Sequence, residues 1–348
     1  MKQRFIIIGL FCIMLCACKK KAVETPEVLL ELDEVAYGID EEDLAQIEGL
    51  QCTDSVLIVF DYHSGQTFSL FHLNTGRTYG RFGQIGQGPD EIPLGCSGFA
   101  NQDMFHLFSY PTSFVARYHL DSLLSNIRSK PLVLTKYTIP DAAFSQVIPI
   151  NDSLFVGAGV YQSTFQYVLF NSKNEILDYY VEIYNSRNNW VSWFDKFLSN
   201  QGCLKKHPGK NQFVYTLNNS GNIDFFEVVD NKIKVINLRR QKNPVYKPFQ
   251  QGGLSGVVPD AESCIIGYID ISAGNEYVYA LYTDHKVDEA YKSNRVLVYD
   301  WSGNFVEEYR LNHDAYYITV NERLNRLFAA IRNEDGGWRI TSYDTKRE

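Results

Sequence analysis

An all-β chain of repeated four-stranded antiparallel units is what this 348-residue sequence predicts. Three observations carry the prediction. Tyr (23) and Phe (22) are abundant while Met is scarce (3), a usage that suits pleated strands better than helices. The hydrophobic pattern is strand-like almost throughout, in short apolar runs separated by Gly, Asn, Asp and Ser. The strongest runs also recur: SVLIVFD at 55, DMFHLFS at 103, SLFVGAG at 153, QFVYTLN at 212, EYVYALY at 276 and RLFAAIR at 326, spaced by 48, 50, 59, 64 and 50 residues.

Each run is followed by a second: QTFSLFHL, SFVARYHL, TFQYVLF, NIDFFEVV, NRVLVYD and GWRITSYD. Turns such as Asn74-Thr75-Gly76, Asp230-Asn231 and Trp301-Ser302-Gly303-Asn304 then lead to a third strand. A shorter strand precedes each start, clearest at 144–150, 267–272 and 316–320. Four strands at a period near fifty residues is the arithmetic of a β-propeller blade, so six units predict a six-bladed β-propeller over 27–348. The sixth unit reaches 343–348 without an outer strand, and 27–35 (EVLLELDEV) has no repeat of its own. The expectation is that this N-terminal strand supplies the missing one, closing the ring and removing an exposed edge.

Connection lengths are uneven. The loops joining the two strongest strands are short, as in 62–65 and 218–221, whereas the connections 84–96, 183–198 and 239–266 are long. The expectation is one elaborated face and one trimmed face, with function on the elaborated one. Its candidate binding residues are Gln87, Glu91, Trp190, Trp193, Tyr246, Phe249 and His313; the aromatic members suit sugar stacking or a protein hot spot. Within 189–198, Trp190, Val191, Phe194, Phe197 and Leu198 form a helical stripe, read as a short helix laying its apolar face on the ring. A second helical turn is expected at 121–130, capped by Asp121.

The N-terminus carries the most specific signal. Lys2 and Arg4 precede the apolar run 5–14, which is too short to span a bilayer and reads as a signal peptide over 1–17. It ends in Leu15-Cys16-Ala17-Cys18, a lipobox pattern that makes Cys18 the expected lipidation site and 18–26 a tether. The lipid bilayer is thus the first expected partner. The expected location is the cell envelope, with the chain anchored to the outer membrane and facing the periplasm, because no acidic run follows Cys18; the cell surface is the other option. The mature chain would carry 31 basic against 41 acidic residues. With no basic stripe, nucleic acid is not an expected partner.

Cys52, Cys96, Cys203 and Cys264 then remain, and isolated thiols are read ahead of 52–96 or 203–264 bridges. The glycine loop 83–89 lacks Gly-Lys-Ser/Thr and G-x-G-x-x-G, so it reads as a turn between blades rather than a phosphate cradle. The seven histidines make neither H-x-x-x-H nor H-E-x-x-H, no G-x-S-x-G occurs, and acidic calcium loops are absent from the sequence. No cofactor and no metal ligand is predicted; a calcium ion in a central channel would fit the architecture but has no motif behind it.

Three segments carry a family resemblance. Gly83-Gln84-Ile85-Gly86-Gln87-Gly88-Pro89-Asp90-Glu91 resembles a G-x-x-G-x-GPGE loop, with Asp90 where the family has glycine. Tyr277-Val278-Tyr279-Ala280-Leu281-Tyr282 and Val298-Tyr299-Asp300-Trp301-Ser302-Gly303-Asn304 are the others. Together they resemble the TolB-like six-bladed β-propeller lipoproteins of Bacteroidetes, relatives of NHL-repeat propellers. The resemblance implies the fold and an exported lipoprotein, and brings no catalytic residues. The functional expectation is a binding or scaffold module for a protein, peptide or glycan. The alternative is a propeller lyase or hydrolase with a metal in the channel.

Overall fold

A strand buried on both faces reads as an unbroken apolar run, and most of the strong runs are such strands. The computed structural model describes residues 29–346 apart from 40, 87, 89–90, 94, 102, 111, 127–129, 132, 140–141, 162–164, 181–191 and 242. The signal peptide, Cys18 and the tether lie outside the described residues.

The chain opens with two short strands, β1 (Leu29–Glu31) and β2 (Glu34–Val35). A four-stranded antiparallel sheet follows: β3 (Ile47–Cys52), β4 (Val56–His63), β5 (Gln66–His72) and β6 (Thr78–Gln84). The second is β7 (Cys96–Ala100), β8 (Met104–Ser109), β9 (Phe114–His119) and β10 (Val133–Lys136), with helix α1 (Leu120–Ser125) between the last two. The third is β11 (Ala142–Pro149), β12 (Leu154–Tyr161), β13 (Phe165–Asn171) and β14 (Ile176–Tyr180). Helix α2 (Trp193–Ser199) leads into the fourth, β15 (Gly202–Lys206), β16 (Gln212–Leu217), β17 (Ile223–Val229) and β18 (Lys232–Arg239). A separate hairpin, β19 (Tyr246–Gln251) and β20 (Leu254–Pro259), precedes the remaining strands. These are β21 (Ile265–Ala273), β22 (Tyr277–Lys286), β23 (Ser293–Asp300), β24 (Phe305–Asn321), β25 (Arg326–Arg332) and β26 (Trp338–Asp344). They form one sheet because β24 is long: its first half pairs with β23 and its second half with β25.

All six predicted strand starts fall within one residue of the start of β4, β8, β12, β16, β22 or β25. Their side chains alternate between two cores. On β4, Val56, Ile58 and Phe60 pack with Phe105, Leu107 and Tyr118 of the second sheet. Leu57 and Val59 point the other way, onto Phe328, Ala330, Trp338 and Ile340 of β25 and β26. Phe108 of the second sheet meets Phe144, Phe155 and Phe170 of the third. Leu169 of the third meets Phe213 and Tyr215 of the fourth. Val214 and Phe225 of the fourth meet Val278 and Ala280. Tyr279 and Leu281, on the opposite side of β22, share a core with Leu327, Ala329 and Ile331. Fully burying one such side chain contributes about 1.5–3 kcal/mol.

The N-terminal strands divide between two partners. β1 pairs in parallel with Glu308–Arg310 of β24, and β2 pairs antiparallel with Ser342 and Tyr343 of β26. The Glu34 carboxylate fixes the second contact. It accepts from Thr341 Oγ1 (2.6 Å) and Asn312 Nδ2 (3.0 Å), and lies 3.2 Å from both Arg339 and His313.

Two expectations need correcting. α1 is not capped by Asp121: the cap position is His119, without a side-chain hydrogen bond, and Asp121 sits in the first turn. The short loops 62–65 and 218–221 do not mark a trimmed face opposite the long connections. Gly65 accepts from Ile85 N–H, and Ser220 bridges Gly267 at the entry to β21, so both loops share the face of the inter-sheet connections. The four later cysteines are free thiols, as the isolated-thiol reading expects.

The glycine loop is a cradle, but its occupant is internal. Ile85 bridges Ile92, and Glu91 folds back so that its carboxylate accepts from Gly88 N–H at 2.7 Å. A Cβ at Gly86 would overlap that carboxylate, which is why glycine stands there. We predict that Gly86→Ala destabilises the chain by about 1–3 kcal/mol through overpacking. The double variant with Glu91→Ala should lose less than the sum of the singles, because contacting sites are not additive. Denaturant unfolding of the four proteins checks this; strict additivity would contradict it.

Candidate functional site

The first strands of the sheets run side by side near the axis, where each contributes only its terminal residues and the turn that follows. β3 packs on β7 and on β24, β15 on β11 and β21, and β21 on β24. The ends of β3, β7, β15, β21 and β24 enclose a 430 Å³ pocket. Its rim is made of Thr53-Asp54, Asn101, Asp103, Pro208-Gly209, Gly274-Asn275 and Glu322-Arg323. These turns leave the first strands at the end opposite the inter-sheet connections. The pocket therefore opens on the other face from the long loops.

Each rim turn is held by a side chain. Thr53 Oγ1 accepts from Val56 N–H (3.2 Å), and Asn101 Oδ1 accepts from Met104 N–H (2.9 Å). His207 Nδ1 accepts from Gly209 N–H (2.9 Å) and Lys210 N–H (3.1 Å). Asn321 Oδ1 accepts from Leu324 N–H (2.9 Å). The Glu322 carboxylate accepts three successive backbone N–H groups, from Asn275 (2.6 Å), Glu276 (2.9 Å) and Tyr277 (2.9 Å). Such turns keep their shape without a ligand.

The pocket mixes charges. Arg323 pairs with Asp54 (3.5 Å) at an exposed position, where the pair adds little stability. Lys206 is buried; it donates to the His207 carbonyl (3.2 Å) and lies 5.9 Å from the Phe99 ring, and burial lowers its pKa. Deeper in, burial raises the pKa of Asp270, opposed by the Lys205 charge and by N–H groups of Ile271 and Ile318. Cys52 lines the wall, but burial pushes its thiol up to about 12, so it stays protonated and unreactive. Among the described residues no three His, Cys, Asp or Glu side chains gather as metal ligands do, so the donor set for a channel metal is not assembled there.

The residues predicted from sequence are dispersed. Gln87 and Trp190 lie outside the described residues, as does the side chain of Trp193, which opens α2 behind a Ser192–Asp195 capping box. Tyr246 is buried in β19, its hydroxyl accepting from Asn219 Nδ2 at 3.0 Å. Phe249, 38% exposed, is on the same hairpin. Glu91 is folded into the glycine loop, and His313 faces Glu34 in an exposed stretch of β24. The pocket residues Asn101, Asp103, Lys205, Asn275 and Arg323 were missed. The signal for them was present: a polar turn stands immediately before every strong apolar run, at 53–54, 101–103, 151–152, 209–211, 274–275 and 321–325.

Radially stacked antiparallel sheets with their first strands around a common axis define a β-propeller. Residues 49–323 match the family described as TolB-like 6-blade propeller-like, and the chain belongs to that family. No curated protein matches it. Among solved structures it is similar to a putative exported protein of Bacteroides fragilis, with 12% identity, 91% of this chain and 98% of that one covered, and a TM-score of 0.53. Two further similarities are the Cps50 (Swd1) β-propeller domain of Myceliophteria thermophila (9% identity, 90% and 100% covered, TM-score 0.45) and Hsv2 of Kluyveromyces lactis (11%, 87% and 75%, 0.41).

Two buried histidines make the stability of the fold sensitive to acid. Burial, followed by the charges of Arg117 and Lys210 respectively, lowers the pKa values of His106 and His207 to about 4. In the unfolded chain both sit near 6.5. Between those values the unfolded chain binds more protons, so stability is complete above about pH 6.5 and falls as pH drops towards 4. At about 1.4 kcal/mol per unit, His106 alone accounts for roughly 3 kcal/mol. Asp270, with its raised pKa, works in the opposite direction. Urea unfolding at pH 7.5, 6 and 5 should show the decline, and His106→Asn should flatten it; a slope unchanged in that variant would contradict the assignment.

Proposed function

We propose that this chain is a six-bladed propeller, closed by its N-terminal strand and anchored to the cell envelope by acylated Cys18, that binds a peptide or glycan at the mouth of its channel. The ring reading is supported by the hydrophobic cores, which join each sheet to the next and the last strands to the first. Dividing the long sheet at the exposed stretch of β24 gives two four-stranded units, the second completed by β2. The export reading is supported by the lipobox at Cys18 and by the likeness to an exported Bacteroides fragilis protein. Among the described residues no helix is long and apolar enough to cross a membrane.

The observation that carries the binding reading is the 430 Å³ pocket, with side-chain-locked turns around its mouth. A concave site with few convergent polar groups and little to reorganise suits recognition. Asn101, Asp103, Asn275 and Lys205 present donors and acceptors of both charges, which suits a peptide backbone or sugar hydroxyls.

Thermal-shift titration with peptide and oligosaccharide panels tests the site. A ligand should raise the Tm, and Asn275→Trp, at an exposed rim position, should abolish the shift while leaving the ligand-free Tm in place. A ligand whose shift survives Asn275→Trp but is lost in Phe249→Ala would move the site to the long-loop face. The anchor is tested separately. Cells fed an alkyne fatty acid should label the wild-type chain, and Cys18→Ala should lose both label and membrane fractionation. Retention of label would refute the anchor.

A further inference from the structure

The second and third sheets meet around another cavity, of 90 Å³, which the channel site does not use. Strand register builds its wall. β7, β8 and β9 place Phe99 opposite His106 and His106 opposite Arg117, in a row that faces the third sheet. Arg117 pairs through Nη1 with the carboxylate of Asp152, an exposed residue of the turn after β11. Its Nε–H is buried and has no acceptor among the described residues. The hydroxyl of Tyr137 is in the same condition, and Tyr137 is only 3% exposed. Both residues line the cavity together with His106, which is 8% exposed, the apolar Val115, Pro149 and Phe155, and the turn residues Asn151 and Asp152.

Buried donors in native proteins are nearly always satisfied, so two on residues that line one cavity indicate a missing acceptor. The local charge specifies its sign. Arg117 is only partly neutralised by the exposed Asp152, and the ammonium of Lys206 is near enough to act on His106. The cavity exceeds severalfold the space that one water needs. Val115, Pro149 and Phe155 supply an apolar part of the wall, and Asn151 and Asp152 of the turn after β11 supply a polar part.

We infer that this cavity is a binding site for a short aliphatic monocarboxylate. One carboxylate oxygen accepts from Arg117 Nε–H and the other from Tyr137 O–H, while the alkyl group lies on Val115 and Phe155. A neutral amide of the same shape has one acceptor oxygen for the two donors and turns its NH2 group towards the other, so it is rejected. The site is separate from the channel pocket, with which it shares no lining residue.

Saturation-transfer NMR and calorimetry on the full chain, with propionate and propionamide as probes, test the assignment. Propionate should bind and propionamide should not. Tyr137→Phe should weaken propionate about three- to tenfold, the usual effect of removing one hydrogen bond. Asp152→Asn, an exposed substitution that leaves the fold intact, should tighten it by freeing Arg117. If propionate gives no signal, if the amide binds equally, or if neither variant changes affinity, the inference is overturned. Absence of propionate binding together with a lower Tm in Tyr137→Phe, from loss of one hydrogen bond, would assign the cavity to buried water alone.

Discussion

The structure depends on how each central strand divides its side chains. Val56, Ile58 and Phe60 belong to one core, while Leu57 and Val59 belong to another with different partner sheets. The same division recurs on β16, where Phe213 and Tyr215 oppose Val214, and on β22, where Tyr279 and Leu281 oppose Val278 and Ala280. No sheet can therefore satisfy its apolar surface alone. Each needs a neighbour on both faces, and a row of such sheets has no natural end except its own beginning. That is the physical reason for Trp338 and Phe328, close to the C-terminus, to pack with Leu57 and Phe71. Circularity follows from two-sided burial rather than from any one contact.

The same constraint locates the polar site. Two-sided burial operates along the middle strands, but the first strands converge at the axis, where facing sheets no longer cover their ends. Side chains there are short of apolar partners, and the sequence changes accordingly, to Thr53, Asn101, Lys205 and Asn275. Two carboxylates left within the packed layers are instead satisfied locally. Asp224 accepts from Tyr167 and Arg240, and Glu308, 1% exposed, accepts from Arg295 (2.9 Å) and Arg310 (2.8 Å). Buried charges of this kind require complete pairing. The channel mouth, by contrast, leaves Asp103, Asn275 and Arg323 exposed.

How much was legible in sequence follows from which interactions are local. The six strong runs were readable because burial on both faces removes polar residues from them, and every start fell within a residue of a strand. The turn at 301–304 was readable because Asp300 and Gly303 make it within five residues. The hairpin of β19 and β20, inside the stretch 239–266, was not, since Tyr246 alone on β19 is buried and the strand carries no period of two. Nor was the sharing of one face by short loops and long connections, which depends on the contact of Ser220 with Gly267 across 47 residues of chain. The glycine loop was read correctly as a turn between sheets, but the role of Glu91 needed three dimensions, because a side chain folding back on its own loop leaves no periodic trace.

Strand direction also bears on how the proposed anchor would present the pocket. β1 runs parallel to the first half of β24, which begins just after the turn at 301–304. That turn is on the pocket face, since Trp301 Nε1 donates to the Gly274 carbonyl at 3.2 Å. β1 and β2 therefore start from the side of the channel mouth and run towards the long-loop face. Cys18 is eleven residues before Leu29, and a chain of that length reaches at most roughly 40 Å. With Cys18 in a bilayer, the shortest path for the tether holds the channel mouth towards the lipid and leaves the long connections facing away. A ligand for the pocket would then have to be small or membrane-proximal, whereas a bulky soluble partner would meet the opposite face first.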